Sequence, residues 1–157
     1  MGGDVNAASL QISKFAFGLV CGTDTNKRVC FKTNDIPVTL EGACVFNGEQ
    51  RRCTWYGFEF DYVLPAGKTR AKLDCVARSD SGFTAGNPKA ELKKHVHEFP
   101  YAIELHGSGG HFFNPQYITR TADTSDPIGT ISAESESCSY AGRTVFDTEF
   151  RLRYPER

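Results

Sequence analysis

The sequence contains no hydrophobic run long enough to cross a membrane as a helix. Such a helix needs about 20 consecutive apolar residues, whereas the longest apolar run here, residues 15–21 (FAFGLVC), has the length of a β-strand. The first four residues, MGGD, contain neither the basic nor the apolar region of a signal peptide. We therefore expect no membrane span and, for an exported protein, a signal peptide that is absent from this sequence.

The chain also lacks an excess of charge of either sign. Its 18 lysine and arginine residues are balanced by 19 aspartate and glutamate residues, so the formal net charge is −1. Proteins that bind nucleic acid or anionic membrane surfaces usually present a strongly basic surface. The balance of charge therefore predicts that nucleic acid is not a partner.

Motifs that would identify common enzymes are missing too. The sequence has no GxSxG nucleophile elbow, no phosphate-binding loop of the form GxxxxGK[S/T], and no CxxC pair of the kind that binds zinc. It also has no N-x-S/T glycosylation site, which favours a bacterial periplasmic or secreted origin over a glycosylated eukaryotic one. We expect a protein that is not an enzyme.

What the sequence does contain is cysteine. Six occur, and two pairs share one spacing, with eight mostly polar or turn-forming residues between the partners. This spacing is typical of hairpins closed by disulfide bonds, which form in oxidising compartments outside the cytosol. We therefore expect an exported protein whose fold is stapled by disulfide bonds. The expected pairs, the last by elimination, are Cys21–Cys30, Cys44–Cys53 and Cys75–Cys138.

The second pair can be placed in a hairpin by its register. A two-residue loop at Gly48-Glu49 uses the glycine for the positive φ of a type II′ turn. Counting outward, Cys44 then lies opposite Cys53 in a non-hydrogen-bonded pair, with Cα atoms about 4.5 Å apart, a separation that a disulfide bond tolerates. A loop at Asn47-Gly48 would remove this match, so the disulfide interpretation predicts the loop at Gly48-Glu49.

Polar and apolar residues alternate along much of the chain, as in half-buried β-strands. In residues 58–62 (FEFDY) the three aromatic side chains share one face, and Glu59 and Asp61 share the other. Residues 146–154 repeat the pattern, with charged side chains on the outer face. Turn signals recur at the spacing of a sandwich or barrel. The sequence predicts an all-β fold, a single antiparallel β-sandwich or flattened barrel of about eight strands.

The length of 157 residues fits one domain. We expect residues 1–9 to be a disordered N-terminal segment or an artefact of expression, and residues 10–157 to form the domain. Two stretches interrupt the alternation and are predicted to be irregular. They are residues 78–94, which end in a short helical turn at 90–94, and residues 121–128.

All four histidines lie within residues 95–111, which indicates a metal site as one interpretation. If residues 107–110 (GSGG) form a four-residue hairpin loop, His106 and His111 become a cross-strand pair with Cβ atoms about 5 Å apart. Glu104 lies two residues back on the same face. Two imidazoles and a carboxylate can bind zinc or another divalent transition metal, so these three residues are the candidate ligands.

His95 and His97 follow a different phase. Counting by twos, they share a face with Tyr101, whereas His106 lies on the other face. Two pairs on opposite faces are therefore the default. One four-histidine site would require a bulged strand, and Pro100 marks a suitable position for the bulge.

The hairpin around the second cysteine pair also carries residues that are common at protein interfaces. Arg51, Arg52, Trp55 and Tyr56 combine charge with large aromatic surface, the composition of an interface hot spot. The glycine-rich tip with Ser108 is a second exposed loop. Loops held by disulfide bonds lose little freedom on binding. We therefore expect a binding module that recognises another macromolecule through rigid hairpin tips, as an inhibitor, immunity protein, adhesin or effector does.

Two alternative functions stay open on the sequence. The first is a small metal-binding protein or metal-dependent enzyme centred on His106, His111 and Glu104. The second is a carbohydrate-binding module in which Trp55 and Tyr56 stack against sugar rings. The expected partner is accordingly a protein or a polysaccharide, and the expected location is the periplasm or the extracellular space.

Overall fold

The computed structural model describes residues 9–21, 27–46, 48–84, 95–119 and 131–155. These residues form ten β-strands and no helix, so they include no helix that could cross a membrane. The predicted N-terminal segment, apart from Ser9, lies outside this part of the chain. The strands are β1 (Gln11–Cys21), β2 (Arg28–Lys32), β3 (Asp35–Pro37), β4 (Gly42–Phe46), β5 (Glu49–Val63), β6 (Arg70–Thr84), β7 (His95–His106), β8 (Gly109–Thr119), β9 (Ile131–Tyr140) and β10 (Arg143–Arg153).

Five strands form the first sheet, sheet A, around the long strand β5. On one edge of β5, the ladder with β8 runs from Cys53 to Val63. On the other edge, β4 pairs with the first part of β5 and β1 with the second part. β2 then pairs with β1, and all of these pairings are antiparallel. β5 is therefore paired on both sides and lies at the centre of the sheet.

The other five strands form sheet B, in the order β3-β10-β9-β6-β7. Its pairings are antiparallel except for the short parallel ladder of β3 with β10. The chain places β3 in sheet B, returns to sheet A for β4 and β5, and crosses to sheet B again for β6 and β7. β8 then joins sheet A, and β9 and β10 complete sheet B. The fold class is as predicted from the alternation: an all-β protein in which two curled antiparallel sheets pack as a sandwich.

The aromatic face of β5 lies between the two sheets. Phe58 and Phe60 are fully buried, and the ring centroid of Phe58 lies 5.1 Å from that of Phe146 on β10. Phe17 of β1 and Phe150 of β10 meet in the same way, with centroids 4.4 Å apart. At roughly 25 cal/mol per Å² and about 150 Å² or more per ring, each buried ring contributes about 4 kcal/mol of transfer free energy. These rings join the sheets.

A bulge in β1 keeps its apolar side chains directed at this core. The register of β1 against β5 shifts between Ser13 and Ala16, and Lys14 has a positive φ of 53°. The extra residue reverses the alternation along the strand. As a result Ile12 and Phe15, which would otherwise face opposite sides, both pack against the core.

Two of the three predicted disulfide bonds are present. Cys75 and Cys138 lie directly opposite each other on β6 and β9, with Cα atoms 4.0 Å apart. Cys21 and Cys30 join the end of β1 to β2, with Cα atoms 5.9 Å apart. One bond therefore links two strands of sheet B, and the other closes a hairpin at the edge of sheet A.

The predicted loop of the β4–β5 hairpin is wrong by one residue. Phe46 lies opposite Glu49, so the two-residue loop is Asn47-Gly48. Gly48 has a positive φ of 79°, a conformation that tight hairpin turns need and that glycine adopts without strain. The Asn-Gly dipeptide favours such a turn, and the ladder of β4 with β5 follows this register rather than the one that the cysteine spacing suggested.

The cysteines of this hairpin are consequently not directly opposite each other. Cys44 lies opposite Arg51, and Cys53 lies opposite Gly42. Both cysteines are buried as free thiols. The predicted cross-strand position of the Cys44–Cys53 pair is therefore corrected to a diagonal one on the same face of the hairpin.

The prediction of an irregular segment over residues 78–94 is wrong for its first part. β6 continues to Thr84 and pairs with β7 as far as His95, after a register shift between Arg78 and Phe83. Polar composition is a weak argument against a strand whose backbone groups pair with a neighbour. The predicted helical turn at 90–94 and the predicted loop at 121–128 lie outside the described residues.

One carboxyl group lies inside the sandwich. Glu136 of β9 is 2% exposed. Its Oε1 accepts hydrogen bonds from the Tyr101 hydroxyl at 3.0 Å and from the Gln116 amide at 2.6 Å, while its Oε2 has no partner among the described residues. Because Gln116 belongs to sheet A, this carboxyl group connects the two sheets through a buried hydrogen bond.

Burial controls the protonation of this group. It raises the pKa of Glu136 from 4.5 to about 7, the two hydrogen bonds oppose the shift, and the neighbouring charge of Glu134 adds to it. A pKa raised in the folded state means that the protonated carboxyl stabilises the fold fully below pH 4.5. That contribution is lost as the pH rises through about 7.

Replacement of Glu136 by Gln should remove this pH dependence. Between pH 4.5 and about 8 the wild-type free energy of unfolding should fall relative to that of Glu136→Gln by about 3 kcal/mol, which is the shift of the pKa converted to free energy. Urea denaturation across this range measures the difference. The exposed Glu149→Gln is the matched control and should track the wild type; a constant difference between Glu136→Gln and the wild type would contradict the prediction.

The two disulfide bonds should differ in what they contribute to stability. Cys75 and Cys138 are 63 residues apart and Cys21 and Cys30 are 9 apart, and the longer loop loses more entropy in the unfolded chain when it is closed. Replacement of both Cys75 and Cys138 by alanine should lower the free energy of unfolding by about 4 kcal/mol. Replacement of both Cys21 and Cys30 should lower it by about 2.5 to 3 kcal/mol. Chemical denaturation of the two variants gives the order, and a larger loss for the short loop would refute the prediction.

Candidate functional site

The outer face of sheet A, on the side away from the core, brings together the most distinctive side chains of the chain. The ladder between β5 and β8 arranges them in rows, and neighbouring rows are two residues apart. About 20 Å therefore separate the first row from the last. The rows, in order along β5, are Trp55–Tyr117, Gly57–Pro115, Glu59–Phe113 and Asp61–His111.

One end of this face is an aromatic patch, by which we mean Trp55, Tyr117 and Lys27. The ring centroids of Trp55 and Tyr117 are 5.1 Å apart and their planes are inclined by 60°, and both side chains are partly exposed. The Nζ of Lys27 lies 4.6 Å from the centroid of the Trp55 ring, within the range of a cation–π interaction. The patch therefore combines apolar ring surface with a positive charge.

Two hydrogen bonds to β4 hold the rings of the patch. The indole N–H of Trp55 donates to the carbonyl oxygen of Ala43 at 2.8 Å, and the Tyr117 hydroxyl donates to the carbonyl oxygen of Val45 at 3.2 Å. The alternation of an antiparallel hairpin directs these two carbonyls away from β5. The bonds therefore fix both rings and also occupy acceptors on the edge of β4 that another strand would use.

The residue beneath the indole has to be small. A Cβ atom at Gly42 would lie 3.0 Å from Cδ1 of Trp55 and 2.9 Å from the carbonyl oxygen of Cys53. Real Cβ atoms very rarely come this close to backbone atoms. Glycine at position 42 therefore allows the Trp55 ring to lie flat over β4.

The middle of the outer face is nearly free of side chains. Gly57 lies between Pro115 on one side and Gly18 of β1 on the other. A Cβ atom at Gly18 would collide with the carbonyl oxygen of Phe31, and one at Gly57 with that of Asn114. The two glycines are themselves buried and form a glycine step, a region closed by neighbouring backbone between the aromatic patch and the other end of the face.

That other end carries an acid–histidine cluster, which consists of His111, Asp61 and Glu59. The Nδ1 of His111 lies 2.7 Å from Oδ1 of Asp61, and its Nε2 lies 3.3 Å from Oε2 of Glu59. Lys14 adds a positive charge, with its Nζ 3.8 Å from Oδ2 of Asp61. Both ring nitrogens thus face carboxylates, an arrangement that a protonated imidazole satisfies by donating twice.

The carboxylates change the titration of the histidine. The hydrogen bond with Asp61 is the main cause that raises the pKa of His111 above its usual value, Glu59 adds to the shift, and partial burial opposes it. The cluster therefore favours the positively charged imidazole. Its contribution to stability is present at low pH and is lost as the pH rises through the folded pKa.

The structure separates the residues that were predicted to bind. Trp55 lies in the aromatic patch, but Tyr56 points into the core and is only 8% exposed, so the two residues do not share one surface. Arg51 shares the face of Trp55 and pairs with Glu49 at 2.8 Å. Arg52 is exposed on the opposite face of the hairpin, because successive residues of a strand point to opposite sides.

The two predicted tips also lie far apart. Ser108 is exposed, and its carbonyl oxygen accepts a hydrogen bond from the N–H of Leu64, just beyond the end of β5. The Asn47-Gly48 loop precedes the start of the same strand. The 15 residues of β5 span about 45 Å, so one small contact surface cannot include both tips.

The predicted pairing of His106 with His111 is also wrong. His106 lies opposite Arg70 in sheet B, whereas His111 lies opposite Asp61 in sheet A. β7 and β8 are joined at residues 107–108 but diverge into different sheets, because each finds a longer ladder elsewhere. Glu104 remains near His106, with Oε2 and Nε2 3.8 Å apart. The described residues include no group of three or more acidic, cysteine or histidine side chains arranged to hold a metal ion.

The bulge that would unite all four histidines is not at Pro100. Pro100 lies opposite Val76 in an unbroken ladder that runs from Glu98 to His106. The alternation of side chains is therefore not reversed at Pro100, and His97 and His106 stay on opposite faces of the strand, as predicted. The Nδ1 of His97 lies 3.0 Å from the backbone oxygen of Ser79. The side chain of His95 lies outside what the structure describes.

Sequence reasoning missed Tyr117, Lys27 and Glu136. Tyr117 follows Phe113 and Pro115 with period two, a pattern that places all three on one face of a strand, but only the pairing with β5 shows which neighbours they meet. Glu136 is two residues from Cys138, and the predicted disulfide at Cys138 could have indicated that Glu136 also points inward. For Lys27, which directly precedes β2, no pattern pointed to the indole.

A shallow groove of about 840 Å³ also crosses sheet B. Residues of both charges line it, and neighbouring ones pair with each other: the Nε of Arg78 lies 2.8 Å from Oε1 of Glu98. Groups that already neutralise one another offer little net attraction to a charged ligand. The outer face of sheet A is therefore the better candidate site.

Asp61 should control the titration of His111. Replacement by Asn removes the negative charge at Nδ1 and should lower the pKa of His111 towards its usual value, which NMR titration of the imidazole protons can measure. Asp74→Asn, on an exposed position of sheet B, is the matched control and should leave the titration unchanged. An equal pKa of His111 in the wild type and Asp61→Asn would show that the hydrogen bond does not act in solution.

Comparison with known proteins provides no family for this chain. No protein-family model matches it, and the search of curated proteins returned no significant match. The function therefore has to be argued from the outer face of sheet A itself.

Proposed function

We propose that this chain is an exported binding module that recognises a protein partner through the aromatic patch of sheet A. The observation that carries the proposal is the fixed geometry of Trp55 and Tyr117, each held by a hydrogen bond to β4. Rings that are already ordered lose little side-chain freedom when a partner covers them. Tryptophan and tyrosine are also the residues most often found at the energetic centre of protein interfaces.

Charge near the patch defines what the partner should present. Lys27 lies over the Trp55 ring, so the partner surface that fits here combines an apolar side chain with a carboxylate. The acid–histidine cluster at the other end of the face lies about 20 Å away, which is within the footprint of an ordinary protein interface. It would form part of the polar rim.

Recognition would use the face of the sheet rather than an edge. The carbonyl oxygens of Ala43 and Val45 already accept hydrogen bonds from the patch, so a strand added to β4 would find these acceptors occupied. The partly exposed rings of Trp55 and Tyr117 are accessible to a broad protein surface. Sugar stacking is less favoured, because Tyr56 is buried and the planes of Trp55 and Tyr117 are inclined by 60°.

The proposed location rests on the disulfide bonds. The two bonds Cys21–Cys30 and Cys75–Cys138 fit a protein that folds in an oxidising compartment. They are compatible with the periplasm or the extracellular space. The rigid hairpins of such a protein suit the role of an inhibitor, immunity protein, adhesin or effector.

Substitutions in the patch should weaken binding to the partner. The partner would first be captured by the purified, oxidised protein from the extracellular or periplasmic fraction of its source and identified by mass spectrometry. Calorimetry with the purified partner should then give a Kd about thirtyfold higher for Trp55→Ala, which corresponds to about 2 kcal/mol at an interface centre. Lys27→Glu should also raise the Kd, and it removes no buried surface from the core.

Arg52→Ala is the matched control, because Arg52 lies on the opposite face of the same hairpin and should leave the Kd within about twofold. Circular dichroism confirms that each variant is folded. An equal loss of affinity in Trp55→Ala and Arg52→Ala would indicate that the partner contacts the hairpin tip instead of the patch. An unchanged Kd for both patch variants would contradict the proposed surface. Retention on an insoluble polysaccharide with no protein partner would favour the carbohydrate-binding alternative.

A further inference from the structure

The two free thiols of the chain lie together on the outer face of sheet A. Cys44 of β4 lies opposite Arg51 of β5, and Cys53 is two residues further along β5 on the same face. The two thiols are hydrogen-bonded to each other. The register of β4 with β5 thus brings the two thiols close enough to interact although their residues are not cross-strand partners.

The aromatic patch covers this pair of thiols. The Tyr117 ring reaches from β8 across β5 to the carbonyl oxygen of Val45 on β4, and the charges of Cys44 and Cys53 both act on the Tyr117 hydroxyl. Cys53 is completely buried and Cys44 is 8% exposed. Cys44 is therefore the more accessible sulfur, and the Tyr117 ring beside it limits the approach of a reagent.

We propose that Cys44 and Cys53 form a redox-active dithiol site that reacts with low-molecular-weight disulfides by thiol–disulfide exchange. The Cys44 thiolate attacks one sulfur of the external disulfide, the external S–S bond breaks, and one external thiolate leaves and takes up a proton. The Cys53 thiolate then attacks the sulfur of Cys44 and displaces the second external thiol. Two protein S–H bonds and one external S–S bond are consumed, one protein S–S bond and two external S–H bonds form, and two electrons pass to the external disulfide.

The order of attack follows from the burial of the two sulfurs. Burial is the main cause that raises the pKa of Cys53 to about 12, and the hydrogen bond with Cys44 adds to it. Very little Cys53 thiolate exists at neutral pH, so Cys53 is a poor first nucleophile. The charge of Lys27 opposes this rise of the Cys53 pKa. Once Cys44 carries the mixed disulfide, the sulfur of Cys53 lies next to it and can attack it.

This reaction would change the surface above it without depending on any partner. A bond between the two sulfurs ties β4 to β5 directly beneath Tyr117 and Trp55, at the point where both rings are hydrogen-bonded to β4. The other two cysteine pairs are already oxidised, so the dithiol is the remaining thiol-reactive site of the described chain. Its oxidation state can be measured independently of binding.

The experiment uses the full-length protein with its two disulfide bonds intact. Incubation with oxidised glutathione at about pH 8, followed by alkylation and peptide mass mapping, should show a Cys44–Cys53 bond with the loss of two hydrogen atoms. Cys53→Ser should instead accumulate a glutathione adduct on Cys44, and Cys44→Ser should react at least about tenfold more slowly, because its remaining thiol is fully buried. Tyr117→Ala should speed the wild-type reaction by at least about tenfold, since it removes the cover.

Phe31→Ala is the matched control for the cover, because Phe31 is an exposed aromatic residue of the same sheet that does not overlie the thiols, and it should leave the rate unchanged. Tyr117→Phe keeps the ring and loses only the hydrogen bond to Val45, so a rate above that of the wild type supports the cover even if Tyr117→Ala fails to fold. Two glutathione adducts in the wild type, no reaction of the folded protein, or equal rates in the wild type and Tyr117→Phe would overturn the proposal. Loss of partner binding by the patch variants bears on the proposed function and leaves this result unaffected.

Discussion

Strand β5 imposes the constraint on which the rest of the structure depends, because it is paired on both edges and its side chains alternate between two environments. On one face Phe58 and Phe60 are sealed in the core. On the other face Trp55, Glu59 and Asp61 form the outer face of sheet A. A shift of one residue in any neighbouring strand would exchange these faces. The core therefore holds the register, and the register in turn determines which side chains of β1, β4 and β8 meet on the outside.

Among its described residues the same sandwich also buries a carboxyl group, that of Glu136. Burial of a charged carboxylate is costly, and the structure reduces this cost by keeping the group protonated to a higher pH and by supplying two hydrogen-bond donors. Because Gln116 donates from the opposite sheet, the stability of the sheet packing is coupled to the protonation of a single residue. In the acid–histidine cluster on the outside, a raised pKa favours the charged form of the group instead of the neutral one, because the two carboxylates stabilise a protonated imidazole.

The outer face of sheet A combines three features that have different origins. The aromatic patch is rigid because its hydrogen-bond acceptors are backbone carbonyls of β4, and the glycine step is closed because backbone atoms of adjacent strands leave no room for a Cβ atom. The buried dithiol exists because the Asn47-Gly48 turn shifts Cys44 away from Cys53 while keeping both on one face. The proposed binding and the proposed thiol chemistry would thus both depend on the short hairpin β4–β5, and the ring of Tyr117 would take part in both.

The sequence by itself determined the all-β class, the inward aromatic face of residues 58–62 and the Cys21–Cys30 pairing, because period-two alternation and short cysteine spacings are local properties. It indicated the Cys75–Cys138 pairing only by elimination. It could not determine the hairpin register, since two candidate turns overlap at Gly48 and the choice depends on turn geometry as well as on the cysteines. It also could not place His106 and His111, because a two-residue link is compatible with a hairpin and with a crossing between sheets. Only the tertiary structure decided these points, since the longer ladders of β7 with β6 and of β8 with β5 outweigh any pairing between β7 and β8. For the same reason the contacts of Tyr117, Lys27 and Glu136 arise between strands that are distant in the chain, and no local pattern encodes which strands become neighbours.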